Sequence, residues 1–206
     1  MGLLAGLCIV LLVGGLAVGV ALGGIMPLPY GPAAPIQHYV QTQPLALHVI
    51  AVAVFGSAML LAVYAATVGF RLRGLGVTGA GPTVAVVGGT LAAGALAVTG
   101  LLGWTLSRPE ISADTALIPA LYLLTFLIGG PGHVVALGAL IAGIAASGIL
   151  PRTGIAIAAL CALTTLVLAS TALGPILPVA RLAALAWLLV AGTRLPTRRS
   201  DPPAPA

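Results

Sequence analysis

Apolar positions in this chain come in long unbroken blocks separated by short polar or glycine- and proline-rich interruptions. A helix needs about 20 apolar residues to cross a hydrocarbon core. Blocks of that order occupy 3–23, 45–69, 82–104, 154–173 and 176–193, and a longer one fills 115–150. The interruptions differ in character. "GIMPLPYGPAAPIQHYVQTQP" follows the first block and carries no charge, "RLRGLGVTGAGP" follows the second and is basic, and "TLSRPEISAD" follows the third. From Arg194 the chain turns polar and proline-rich, "RLPTRRSDPPAPA". Residues 1–194 therefore read as one transmembrane helical domain, and 195–206 as a disordered cytoplasmic tail.

The block 115–150 is too long for one crossing, because its residues would extend roughly 54 Å as a helix against a core of about 30 Å. It is interrupted by Gly129-Gly130-Pro131-Gly132, immediately before His133. Either 115–129 and 133–150 form a hairpin, giving seven spans, or 115–129 lies in the interface or re-enters the bilayer, giving six. Arginine placement favours six. With an inside N-terminus, Arg71, Arg73, Arg152, Arg194, Arg198 and Arg199 all face the cytoplasm, while Arg108, Glu110 and Asp114 face out. Seven spans would place Arg71 and Arg73 opposite the arginines of the tail. The expected fold is an all-α polytopic bundle of six transmembrane helices with a broken or interfacial helix near 115–129. The glycines and Pro131 end one helix and His133 stands in the first turn of the next.

Composition agrees. Hydrophobic residues make up 60% of the chain and charged residues 5%, more apolar surface than a soluble domain of 206 residues can hide. The net charge of +5 comes from arginine alone, since no lysine is present. Arginines placed between apolar blocks set topology and give no reason to expect a nucleic acid partner. Residues 3–22 lack a basic leader and exceed a signal-peptide core in length, so they read as a retained helix. Cys8 is not placed as a lipoprotein cysteine, because Leu7 stands where a small residue is required. Cys8 and Cys161 both fall within apolar blocks, as small core residues do.

Small residues recur at helical spacing. Gly15, Gly19 and Gly23 form consecutive GxxxG steps, and Ala139 and Gly143 repeat the interval. Such spacing serves close packing within the bundle or a homodimer face. The expected partners are membrane lipids, with a homo-oligomer or a membrane partner protein as further options.

Chemistry is sparse. "GLGVTGAGPT" has no lysine and is no phosphate loop, and neither HExxH nor CxxC occurs. Three acidic residues leave little room for paired-carboxylate catalysis. No cofactor or metal is expected, and the balance leans away from an enzyme. What remains is an asymmetry: His38, His48, His133, Arg181, Glu110 and Asp114 all fall on the outer side of the six-span arrangement. His48, His133 and Arg181 are the candidate ligand-binding set, with Glu110 and Asp114 in the adjoining loop. Such a pocket suits an anionic group, helped by the start of a helix at His133. Each residue also has a plainer reading: a histidine bonding a carbonyl, an arginine reaching to headgroups, Asp114 as a helix cap.

The C-terminal half carries a resemblance. "FLIGGPGHVVALGALIAG", "SGILPRTGIAIAAL" and "GPILPVARLAALAWLLVAGTRLP" resemble a family of small polytopic membrane proteins common in high-GC Gram-positive bacteria, over about residues 120–196. Thr153 departs from the pattern, which has an aromatic after the Pro-Arg pair. The resemblance implies a bacterial cytoplasmic membrane location and no particular reaction. The function expected is a non-enzymatic accessory or sensing protein binding a lipid, small ligand or partner from the outer-leaflet side. The alternatives are a membrane-embedded enzyme or haem/metal protein using His48 and His133, and a small transporter using the break at 129–132.

Overall fold

The computed structural model describes residues 1–195, so nearly all of the expected tail lies outside the described residues. The described residues are all-helical, and the chain is an integral, multi-pass membrane protein. Helix α1 spans Gly2–Gly23, α2 Ala33–Thr42, α3 Pro44–Gly74, α4 Gly81–Leu106 and α5 Pro109–Ser112. Then come α6 at Leu117–Leu127, a π-helical turn at Ile128–Gly132 and α7 at His133–Ala145. The chain closes with α8 at Thr153–Leu163, 3-10 turns at Thr164–Leu168 and Thr171–Leu173, and α9 at Ile176–Arg194.

Five helices are long and apolar enough to cross a membrane: Gly2–Gly23, Pro44–Gly74, Gly81–Leu106, Leu117–Ala145 and Thr171–Arg194. The expected sixth, 154–173, is shorter. Its 11 α-helical residues pass into a 5-residue 3-10 turn and stop at Leu168. The break near 115–129 also differs from expectation. Helices α6 and α7 are joined through the π turn into one continuous rod of 29 residues, so no separate interfacial helix and no new helix start exist at His133. A π turn fits one extra residue into the helix, and that slack accommodates Pro131, which has no N–H to give.

Helix boundaries follow local chemistry. Proline occupies the first turn of α3 and α4, where its missing N–H costs nothing. Arg71 and Arg73 lie in the last turn of α3, complementing its negative dipole end. Gly76 just beyond has φ 78°, and Gly148, after α7, has φ 72°; both are left-handed conformations that a side chain would strain.

Small residues bring the helices together. Gly15, Gly19 and Gly23 of α1 lie against Ala53, Ile50 and Ala46 of α3. Gly88 of α4 sits under the α7 backbone at Ala139 and Leu140, and Gly143 of α7 under Ala85 and Gly81 of α4. Both small-residue stripes are therefore used within the chain. The main core runs through α1, α3, α4, α7 and α9, with Tyr64, Leu72, Leu96, Leu137 and Ile144 fully enclosed. A second, smaller core of Ile36, Tyr39, Val40, Leu47, Leu106, Ile118 and Tyr122 seats α2 across the end of the bundle where α1 finishes and α3 begins. Gln37 and Gln41 tie α2 to the next loop by donating to the carbonyls of Thr115 and Ser112, at 2.7 and 3.1 Å.

Candidate functional site

Helices α1 and α9 touch at one end and part at the other. Gly2 lies against Gly192 and Thr193, so the two helices are nearly in backbone contact there. Toward the α2 end they separate, and Leu12 and Leu16 of α1 and Leu182 and Leu185 of α9 line a cavity of about 520 Å³. The other walls come from Leu47, Ile50 and Val54 of α3, Leu96, Thr99 and Leu106 of α4, and Tyr122, Phe126 and Gly129 of the following rod. The loop Met26–Pro29 roofs the cavity and is pinned where the Tyr122 hydroxyl donates to the Pro27 carbonyl at 2.9 Å. Val13, Leu16 and Leu182 on its rim are also exposed on the surface of the bundle, at 41, 39 and 58%. The gap between α1 and α9 thus faces the bilayer sideways.

The cavity is apolar except for a few groups. The hydroxyls of Thr99 and Thr125 donate to carbonyls of their own helices, at 2.7 Å each. Arg181 is the charged residue in the wall. It does not reach back to the membrane surface. Its Nη2 donates to the carbonyl of Gly129, and its Nε is buried without a partner.

The π turn explains why that carbonyl is free. The His133 N–H bonds to the carbonyls of Ile128 and Gly130 and passes over that of Gly129, its ordinary α-helical partner. A guanidinium from a helix 52 residues away in sequence takes the orphaned acceptor. Irregular backbone at membrane depth persists only where such a partner satisfies it.

The sequence-selected residues divide. His133 is fully buried, lies within Coulombic reach of Arg181, and holds the Ala92 carbonyl through Nδ1 at 3.0 Å, while its Nε2 has no partner. His48 is exposed, and its Nδ1 lies 3.5 Å from the Ser107 hydroxyl at the end of α4. Ala92 and Ser107 are 15 residues apart along that helix, a rise of roughly 22 Å. The expected pocket of His48, His133 and Arg181 therefore does not form as a set of three, and one metal or haem iron cannot be shared by the two histidines. No group of three metal-ligating side chains occurs among the described residues.

Glu110 and Asp114 stay in the loop. Glu110 lies 3.5 Å from Arg108, both exposed, and Arg108 also sits over the Trp104 ring at 5.3 Å. Asp114 accepts from the N–H groups of Ala116 and Leu117 at 3.0 and 3.2 Å, which caps the first turn of α6. His38 is exposed on α2. Close by, burial pushes the Tyr39 phenol pKa up, and its hydroxyl has no partner.

The sequence singles out Gly129 only as part of a helix break, and it gives no sign of Thr99, Tyr122 or the Met26–Pro29 loop as cavity walls. Only the glycine-proline run hinted that a backbone carbonyl there would lack its helical partner. Comparison with known protein families, with curated proteins and with solved structures finds no match.

Proposed function

We propose that this chain is a non-enzymatic accessory or sensing protein of the bacterial cytoplasmic membrane, which takes a lipid-like ligand into the α1–α9 cavity. In this reading both termini are cytoplasmic, and the cavity lies toward the outer leaflet. The observation that carries it is the cavity itself. At about 520 Å³ it falls within the range of small-molecule sites, and its walls are almost wholly apolar. Its rim residues Val13, Leu16 and Leu182 give a hydrocarbon chain lateral access from the bilayer. Two features support binding over carriage. The helices close at Gly2 and Gly192, away from the cavity, and the roofing loop is anchored by Tyr122.

Mass spectrometry of the protein, purified from membranes in mild detergent and sprayed under native conditions, tests this reading. Wild type should retain a lipid-like adduct near one per chain. Val54→Phe projects a larger side chain from the wall and should retain less. Equal retention by the two proteins, or none by wild type, would count against the cavity as a binding site.

A further inference from the structure

The positive charge of Arg181 has no counter-ion within the described protein. Of the two acidic residues described, Glu110 faces Arg108 on the surface and Asp114 caps α6. The guanidinium is held inside the bundle with one backbone carbonyl as its partner, while Nε goes without. Placing a charge out of water without a compensating charge is costly, so ionisable groups inside a membrane are rare and mark sites of use. The cavity beside it is lined by hydrocarbon, and its threonine hydroxyls already give their protons to backbone carbonyls.

We infer that the cavity selects an anionic, single-chain amphiphile, whose oxyanion head pairs with Arg181 and whose chain lies among Leu12, Leu16, Val54, Leu96 and Leu185. This rests on the binding role proposed above and adds the chemical class of the ligand. Charge complementarity sets the head: guanidinium is a planar donor suited to a phosphate or carboxylate, and such charge-assisted bonds are about twice as strong as neutral ones. The walls set the tail. The seat is preorganised, because the bond to Gly129 fixes the guanidinium at the cavity wall before any ligand arrives. The anion is the group that balances the cation in the cavity wall.

Radiolabelled decyl phosphate, decanol and inorganic phosphate, each titrated onto the full chain in nanodiscs with empty nanodiscs as background, separate head from tail. Decyl phosphate should saturate at one per chain and bind at least about tenfold more tightly than decanol, the difference expected for one charge-assisted pair. Inorganic phosphate should not bind measurably. Arg181→Gln should bring decyl phosphate down to the affinity of decanol while leaving decanol binding unchanged, which also shows that the variant keeps its cavity. Equal affinity of decyl phosphate and decanol for wild type overturns the anionic head and leaves the cavity reading standing. Tight binding of inorganic phosphate overturns the need for a chain. Failure of all three ligands to bind wild type overturns both this inference and the cavity reading. The wild-type comparison needs no variant, so a poorly folding Arg181→Gln cannot shield the idea.

Discussion

Arg181 of α9 holds the carbonyl of Gly129, which the π turn between α6 and α7 leaves without its helical partner. The pairing solves two problems at once. An arginine within an apolar bundle gains an acceptor, and a backbone acceptor within the same bundle gains a donor. It also ties α9 to the long rod at the cavity wall.

The glycines of that turn should not be equivalent. A Cβ on Gly129 would fall 2.6 Å from Thr99 Cγ2 and 2.7 Å from its Oγ1, whereas one on Gly130 meets Phe126 at an ordinary 3.5 Å. Gly129→Ala should destabilise by about 1–3 kcal/mol through overpacking. Gly130→Ala should be neutral or gain up to about 1 kcal/mol from helix propensity. Thermal unfolding in detergent checks the pair; equal effects would mean that Thr99 does not define this contact.

A second contrast concerns helix approach. A Cβ on Gly143 would fall 2.7 Å from both the Ala85 Cα and the Gly81 carbonyl oxygen, and neither can step aside without moving α4. Gly14 and Gly94 have nothing within 4 Å of that position. Gly143→Ala should lower the melting temperature and the yield of folded protein sharply, while Gly14→Ala and Gly94→Ala leave both unchanged. Comparable losses at all three positions would show that glycine acts here through the backbone alone.

Hydropathy was enough to place most of the bundle, since 3–23, 45–69, 82–104 and 176–193 each lie within a helix of the structure. It misplaced the region around Pro131 because a Gly-Gly-Pro-Gly run is a helix terminator by local propensity, whereas the structure carries the helix through it as a π turn whose Gly129 carbonyl is taken by Arg181, a partner remote in sequence. The run 154–173 likewise reads as a full span, although its helix ends at Leu168. The site was legible in part. Arg181 stands out as a lone charge in an apolar block, but no spacing reveals that it meets Gly129. The division of the histidines was hidden too: His48 attaches at the end of α4 and His133 near its middle, and only the packing of three helices puts them there.

Asp114 should matter for stability and Glu110 should not. Asp114→Ala removes the acceptor for two backbone N–H groups at the start of α6 and should cost about 0.5–2 kcal/mol, with Asp114→Asn recovering most of it. Glu110→Gln loses only an exposed pair and should change stability by less than about 1 kcal/mol. Melting temperatures of the three variants decide it, and a larger loss from Glu110→Gln than from Asp114→Ala would reverse these roles.

Orientation can be read by cysteine labelling in intact cells. Cys8 and Cys161 are buried at 3 and 0% exposure, so background labelling by a membrane-impermeant maleimide should be low. His38→Cys and Glu110→Cys should label from outside, whereas Arg73→Cys and Arg152→Cys should label only after permeabilisation. The reverse pattern would place the cavity toward the cytoplasmic leaflet and refute the outer-leaflet proposal.

The most direct measurement is a crystal structure of the chain grown in a lipidic mesophase doped with decyl phosphate. The account predicts elongated density through the space between α1 and α9, its head against the Arg181 guanidinium and its chain passing Val54 and Leu16. Density absent there, with α9 closed onto α1 and α3 and Arg181 turned outward to the headgroups, would contradict it.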